Sequence, residues 1–268
     1  MLARNISPID RIGMLIAAVL LSFALTRLIQ TPRLILSLDL PGFYFAFPLT
    51  LSNVMTLFAS GLTAAGMDWI IRDHPSFSKK TARENIMLPT LTTFVLGAAL
   101  SVLFQTSTWW VGFLFGAVLL GVVFSAEYIT LVPTSSVYTF ARAALTALAY
   151  ALFLILITSL RYTGIRLFLL IPAIFIMAGL ISLRILHLDG SDRWDFPWAI
   201  GIGIVCAQVG AGLHYWLLEP VQFGLMLTGP LYALTVLSIN LTEEIPLRKA
   251  IVSPIIILLI SWLSAIFL

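Results

Sequence analysis

Asp189, Asp192 and Asp195 stand at three-residue steps in a chain with only 12 acidic residues. Carboxylate oxygens are the ligands a hard cation such as Mg²⁺ takes, and a bound Mg²⁺ can bridge a diphosphate. The stretch from Arg184 to Asp195 also holds His187, Gly190, Ser191 and Arg193, so acid, imidazole and guanidinium groups crowd together there. Metal-dependent chemistry on a phosphorylated group is the enzymatic reading of that stretch. The competing reading is a turn between two helices. Gly190 permits the bend, and Asp195 stands just ahead of Pro197, where a carboxylate suits a helix N-terminus.

The piece Asp192-Arg193-Trp194-Asp195 resembles the Asp-Arg-x-Asp end of the signature of phosphatidate cytidylyltransferases, membrane enzymes that make CDP-lipids. Asp189-Gly190 is similar to the Asp-Gly start of the CDP-alcohol phosphotransferase motif. The resemblance implies a Mg²⁺-dependent enzyme acting on lipid head groups through the 187–195 loop, with Asp189, Asp192 and Asp195 as metal ligands. The chain departs from both signatures. Leu188 and Asp189 stand where paired glycines follow the histidine, residues 164–183 hold no Lys-Asp element, and residues 198–213 carry no acid.

The elements that hold this loop are apolar. Hydrophobic residues make up 60% of the chain and charged residues 10%, against about 25% charged in a soluble domain. Too few polar residues remain to cover a soluble core of this length. The long apolar runs therefore face lipid, where helices satisfy the backbone internally. Nine spans are expected, near 10–29, 44–67, 86–105, 109–131, 139–160, 164–185, 196–218, 220–240 and 248–267. The fold class is an all-α polytopic membrane bundle forming one transmembrane domain, 1–268, in the cell membrane. The first run, behind Arg4 and Arg11, is too long for a cleaved signal and fits a signal-anchor helix. Residues 33–43 form a segment between spans that ends in the turn signal Leu40-Pro41-Gly42. The single cysteine, Cys206, excludes an internal disulfide and fits a small buried hydrophobe.

Basic residues set the orientation. With nine spans, Arg4, Arg11, Arg72, Lys79, Lys80, Arg83, Arg142, Arg184, Arg193, Arg248 and Lys249 fall on one side, and Arg27, Arg33, Arg161 and Arg166 on the other. The N-terminus is then cytoplasmic and the C-terminus outside. Lys79, Lys80 and Arg83 lie in the most basic loop, 68–85, where Ser78 can cap a short surface helix. Their partners are anionic lipid head groups rather than nucleic acid. All three lysines lie in loops or at a helix end, which excludes a retinal Schiff base within the bundle. Residues for a P-loop, a zincin helix or a dinucleotide fingerprint are absent.

Two patterns within the spans bear on a role without catalysis. Asn53, Thr56, Ser60 and Thr63 make one polar stripe on span two, and Gln208 is a second deep polar group; lining water, they would form a solute path. Ala199, Gly203, Ala207 and Ala211 make a small-residue stripe on span seven, suited to close helix packing within the chain or in a homo- or hetero-oligomer. Gly112 and Gly116 repeat the spacing in span four. His214, beside Tyr215 and Trp216, is expected as a satisfied interfacial histidine, and Glu127 and Arg142 as a structural pair across a turn. The leading expectation is a non-enzymatic protein with no cofactor: a small-solute transporter or an accessory subunit of a membrane complex. The charge distribution predicts that a reporter enzyme fused after Leu268 is active outside the cytoplasm; activity only of a cytoplasmic reporter at that position would reverse the orientation.

Overall fold

In a computed structural model of the protein, residues 7–29, 34–40, 43–73, 79–131, 137–188 and 194–268 are described. Among them, nine helices are long and apolar enough to cross a membrane. The chain divides into two compact units, Met1–Ala141 and Arg142–Leu268.

The first unit holds α1 (Pro8–Leu28), a hairpin of β1 (Leu34–Leu40) and β2 (Phe43–Leu49), α2 (Leu51–Arg72), α3 (Lys79–Val102) and α4 (Trp109–Thr130). Ser7 starts α1: its Oγ accepts the Asp10 amide at 3.2 Å, and Pro8 occupies the first turn, where a missing N–H costs nothing. Thr50 starts α2 in the same way, accepting the Asn53 amide at 3.3 Å. The second span was expected from residue 44 and begins at Leu51 instead. Pro48 gives the reason. A proline disfavours the helical region for the residue before it, so no helix runs back through Phe47. Residues 43–49 pair antiparallel with 34–40, from Leu34↔Leu49 to Leu40↔Phe43. Residues 79–84, expected as a separate surface helix, are the start of α3, and Ser78 lies outside the described residues.

Glycines let these helices approach closely. A Cβ at Gly66 of α2 would lie 2.3 Å from Leu15 Cδ1 of α1. One at Gly97 of α3 would lie 2.5 Å from Thr56 Oγ1 of α2, and one at Gly116 of α4 2.5 Å from Leu96 Cδ1 of α3. Gly116 is thus a packing position, as its spacing implied. Arg11 pairs with Asp73 and lies 4.9 Å over the Trp69 ring, tying the start of α1 to the end of α2.

The second unit holds most of α5 (Tyr138–Tyr162), then α6 (Leu167–Leu188), α7 (Phe196–Leu213), α8 (Pro220–Thr242), the single turn α9 (Leu247–Ala250) and α10 (Val252–Phe267). Gly224 of α8 fits against Leu154 and Thr158 of α5, and the Tyr150 and Tyr232 rings meet at 5.0 Å. Ser261 and Trp262 of α10 donate to the Leu225 and Met226 carbonyls of α8 at 2.8 and 3.1 Å. The rest of α10 carries exposed Val252, Ile255, Ile256, Leu259, Ile260 and Leu263, a face suited to acyl chains.

The contact at Gly97 predicts that Gly97→Val lowers stability by about 1–3 kcal/mol, the usual cost of overpacking. Gly13→Ala, at an exposed helical glycine with nothing within 4 Å, is expected to leave stability unchanged or raise it. Thermal unfolding of both variants in one detergent makes the comparison, and an equal loss in both would contradict the packing.

Candidate functional site

The polar stripe on α2 is turned inward. Thr56, Ser60 and Thr63 are buried and Asn53 is half-buried. The Ser60 and Thr63 hydroxyls bond their own helix: Ser60 donates to the Thr56 carbonyl at 2.8 Å and Thr63 to the Ala59 carbonyl at 2.9 Å. From α3, Thr92 donates to the Leu88 carbonyl at 2.8 Å and Thr93 to the Pro89 carbonyl at 3.1 Å. Thr63 Oγ1 and Thr93 Oγ1 are 2.9 Å apart and join the two helices. A hydroxyl has one proton, so one carbonyl bond is released whenever these two oxygens bond each other. The hydroxyls serve as side-chain-to-backbone bonds in an apolar medium.

Gln208 does not join such a set within its own unit. It is exposed on α7 and makes no hydrogen bond with any described residue. Exposed on the same face are Gly201, Ile204, Val205 and Gly212, with nothing within 4 Å of a Cβ at either glycine. The stripe expected to pack closely is on the other side of α7. Ala199, Gly203 and Ala207 are buried and Ala211 is half-buried. A Cβ at Gly203 would lie 2.9 Å from the Phe175 carbonyl oxygen of α6, so α6 already covers that face. Cys206 is fully buried beside it.

Of the three carboxylates in the polar loop, Asp189 and Asp192 lie outside the described residues and Asp195 within them. Asp195 holds the N-cap position of α7, and its carbonyl accepts the Ala199 amide at 3.2 Å, but its carboxylate makes no capping bond. The backbone explains the difference. Ser7 and Thr50, which do cap, have ψ of 150° and 154°, whereas Asp195 has ψ of 65°, outside the extended region a capping side chain needs. The loop is tied at its ends by rings: His187 stacks on Trp194 at 5.3 Å, and Trp194 on Phe196 at 6.0 Å.

Two features escaped the sequence reading. Arg184, counted there as a loop cation, is 1% exposed within α6. Its spacing carried a signal, because it shares a face with Ile181, Met177, Ile174 and Leu170, all buried. Arg161, counted on the opposite side, engages the histidine expected to be satisfied. One guanidinium nitrogen is 2.9 Å from His214 Nδ1, another donates to the His214 carbonyl at 3.2 Å, and the group lies 5.0 Å over the Phe223 ring. Arg161 can only donate, so His214 Nδ1 is the acceptor in this contact.

These features define a multi-pass helical membrane protein. The chain belongs to the family described as "Protein of unknown function (DUF5656)", whose model matches residues 31–268. No curated protein and no solved structure matches the chain.

Removing the guanidinium leaves both His214 acceptors short of a donor. Arg161→Ala is expected to cost about 1–3 kcal/mol of stability, read as lower thermal stability in detergent. A variant as stable as the native protein would show that water replaces the guanidinium there.

Proposed function

We propose that this chain is a non-enzymatic subunit of the cell membrane, N-terminus inside and C-terminus outside, that works by packing α7 against a helix of another membrane protein. The observation that carries the reading is the exposed Gln208. Serine and threonine in a span can bond to their own helix carbonyls. The longer glutamine amide has two donors and an acceptor, and in hydrocarbon a neighbouring helix is its natural partner. Gly201 and Gly212 flank it on the same face and leave room for close approach. Gln208 lies five residues before the end of α7, a depth of roughly 8 Å at 1.5 Å per residue.

A transport path is less well supported. The α2 stripe that suggested one is buried, and its Ser60 and Thr63 hydroxyls are bonded to backbone. Accessory roles need no hydrated channel and no intramembrane carboxylate.

A photo-crosslinking residue at Val205 in native membranes is expected to give a protein adduct, and Gln208→Leu to reduce its yield several-fold. The same probe at Leu259, on the exposed face of α10, is expected to give none. Equal yields at both positions, or no effect of Gln208→Leu, would defeat the proposal. In parallel, cysteines at Ser60 and Thr63 are expected to resist a membrane-impermeant thiol reagent; rapid labelling of both would restore the transport reading.

A further inference from the structure

Gln208 is set in a seam. Trp198, Gly201, Val205, Gln208 and Gly212 are all exposed and stand at alternating steps of three and four residues along α7. That alternation is the spacing of a helix side that winds left-handed around a second helix. No charged residue lies anywhere in α7. Apart from the Trp198 indole at its start and the buried Cys206 thiol, Gln208 carries its sole hydrogen-bonding side chain.

The carboxamide cannot easily reach water. Twelve residues of α7 precede Gln208 and five follow it, which sets it about 18 Å from one end and roughly 8 Å from the other at 1.5 Å per residue. In a helix the Cα–Cβ bonds tilt toward the N-terminus. The Gln208 side chain therefore leans away from the nearer membrane surface and toward the acyl core. There an unbonded amide costs free energy, and Gln208 bonds no described residue.

Membrane insertion says which group can meet it. Copies of one chain enter the bilayer in one direction, so their α7 helices run parallel. A two-fold axis along the membrane normal then sets each seam residue opposite its own counterpart. Gln208 meets Gln208 at equal depth. A carboxamide both donates and accepts, so the two side chains can exchange N–H···O bonds reciprocally. A carboxylate or an ammonium in that place would repel its counterpart instead. A different protein would need a polar group of its own at the same depth, whereas a second copy carries one there already. Gly201 and Gly212 flank the pair, and nothing lies within 4 Å of a Cβ at either.

We propose that the partner of α7 is a second copy of this chain, joined by a parallel α7–α7 contact with the two Gln208 carboxamides bonded to each other. This rests on the reading of α7 as a docking helix and adds the identity of what docks.

The test uses full chains carrying two different epitope tags, expressed together and oxidised in native membranes. With Val205→Cys in both, the expected product is a disulfide-linked pair holding both tags. The unsubstituted chain, whose Cys206 is buried, and Leu259→Cys on α10 are expected to give none. Gln208→Leu is expected to lower the yield at 205 several-fold, and Gln208→Asn, which keeps the carboxamide, to preserve most of it. Energy transfer between copies fused at Leu268 to donor or acceptor fluorescent proteins needs no cysteine, and Gln208→Leu is expected to lower it several-fold too. Equal yield or equal transfer with Gln208→Leu would overturn the proposal. So would the absence of a mixed-tag product at 205. In that case, a photo-crosslink from Val205 to a different protein would leave α7 a docking helix with another partner, and no crosslink at all would remove both readings.

Discussion

A polar group in hydrocarbon has no water to turn to, and this constraint shapes each part of the molecule. It makes the backbone helical across the spans, because a helix bonds its own N–H and C=O groups. It also governs side chains. Ser60, Thr63, Thr92 and Thr93 return their protons to carbonyls four residues back, and Ser261 and Trp262 donate to carbonyls of a neighbouring helix. Where the chain leaves the helical state between α1 and α2, it pairs two strands with each other.

Once polar groups are satisfied locally, packing between helices depends on shape. In the first unit, Gly66, Gly97 and Gly116 each receive a side chain from a neighbouring helix. In the second, Gly203, Gly210 and Gly224 do so. Lipid tails are as apolar as leucine, so helices gain little by hiding apolar surface from them, and close contact with small residues supplies the attraction instead. The same physics gives α7 two unlike sides. Its Ala199, Gly203 and Ala207 side is filled by α6, while its Gly201, Val205 and Gln208 side has room for another helix. A carboxamide on that second side separates it from the exposed leucine and isoleucine of α10.

The polar loop that first suggested catalysis now has a structural component as well. His187, Trp194 and Phe196 stack to hold the ends of α6 and α7 together. Asp195 marks the start of α7 through its carbonyl rather than its carboxylate. At the other end of α7, Arg161 clamps His214 from α5. Both ends of α7 are therefore fastened within the second unit, and its exposed face is presented on a braced helix.

The spans themselves were legible in the sequence because transfer into hydrocarbon adds up residue by residue along a local run. The caps at Ser7 and Thr50 are local too, as is Pro48, which keeps Phe47 out of the helical region. Sidedness was not legible. Span seven carries small residues at helical spacing on two faces, and propensity alone cannot say which one meets α6. The same holds for Arg184, which the sequence places at the end of a run and the fold buries. Which side of a helix is covered depends on residues far away in the chain, and only the packed structure brings those together.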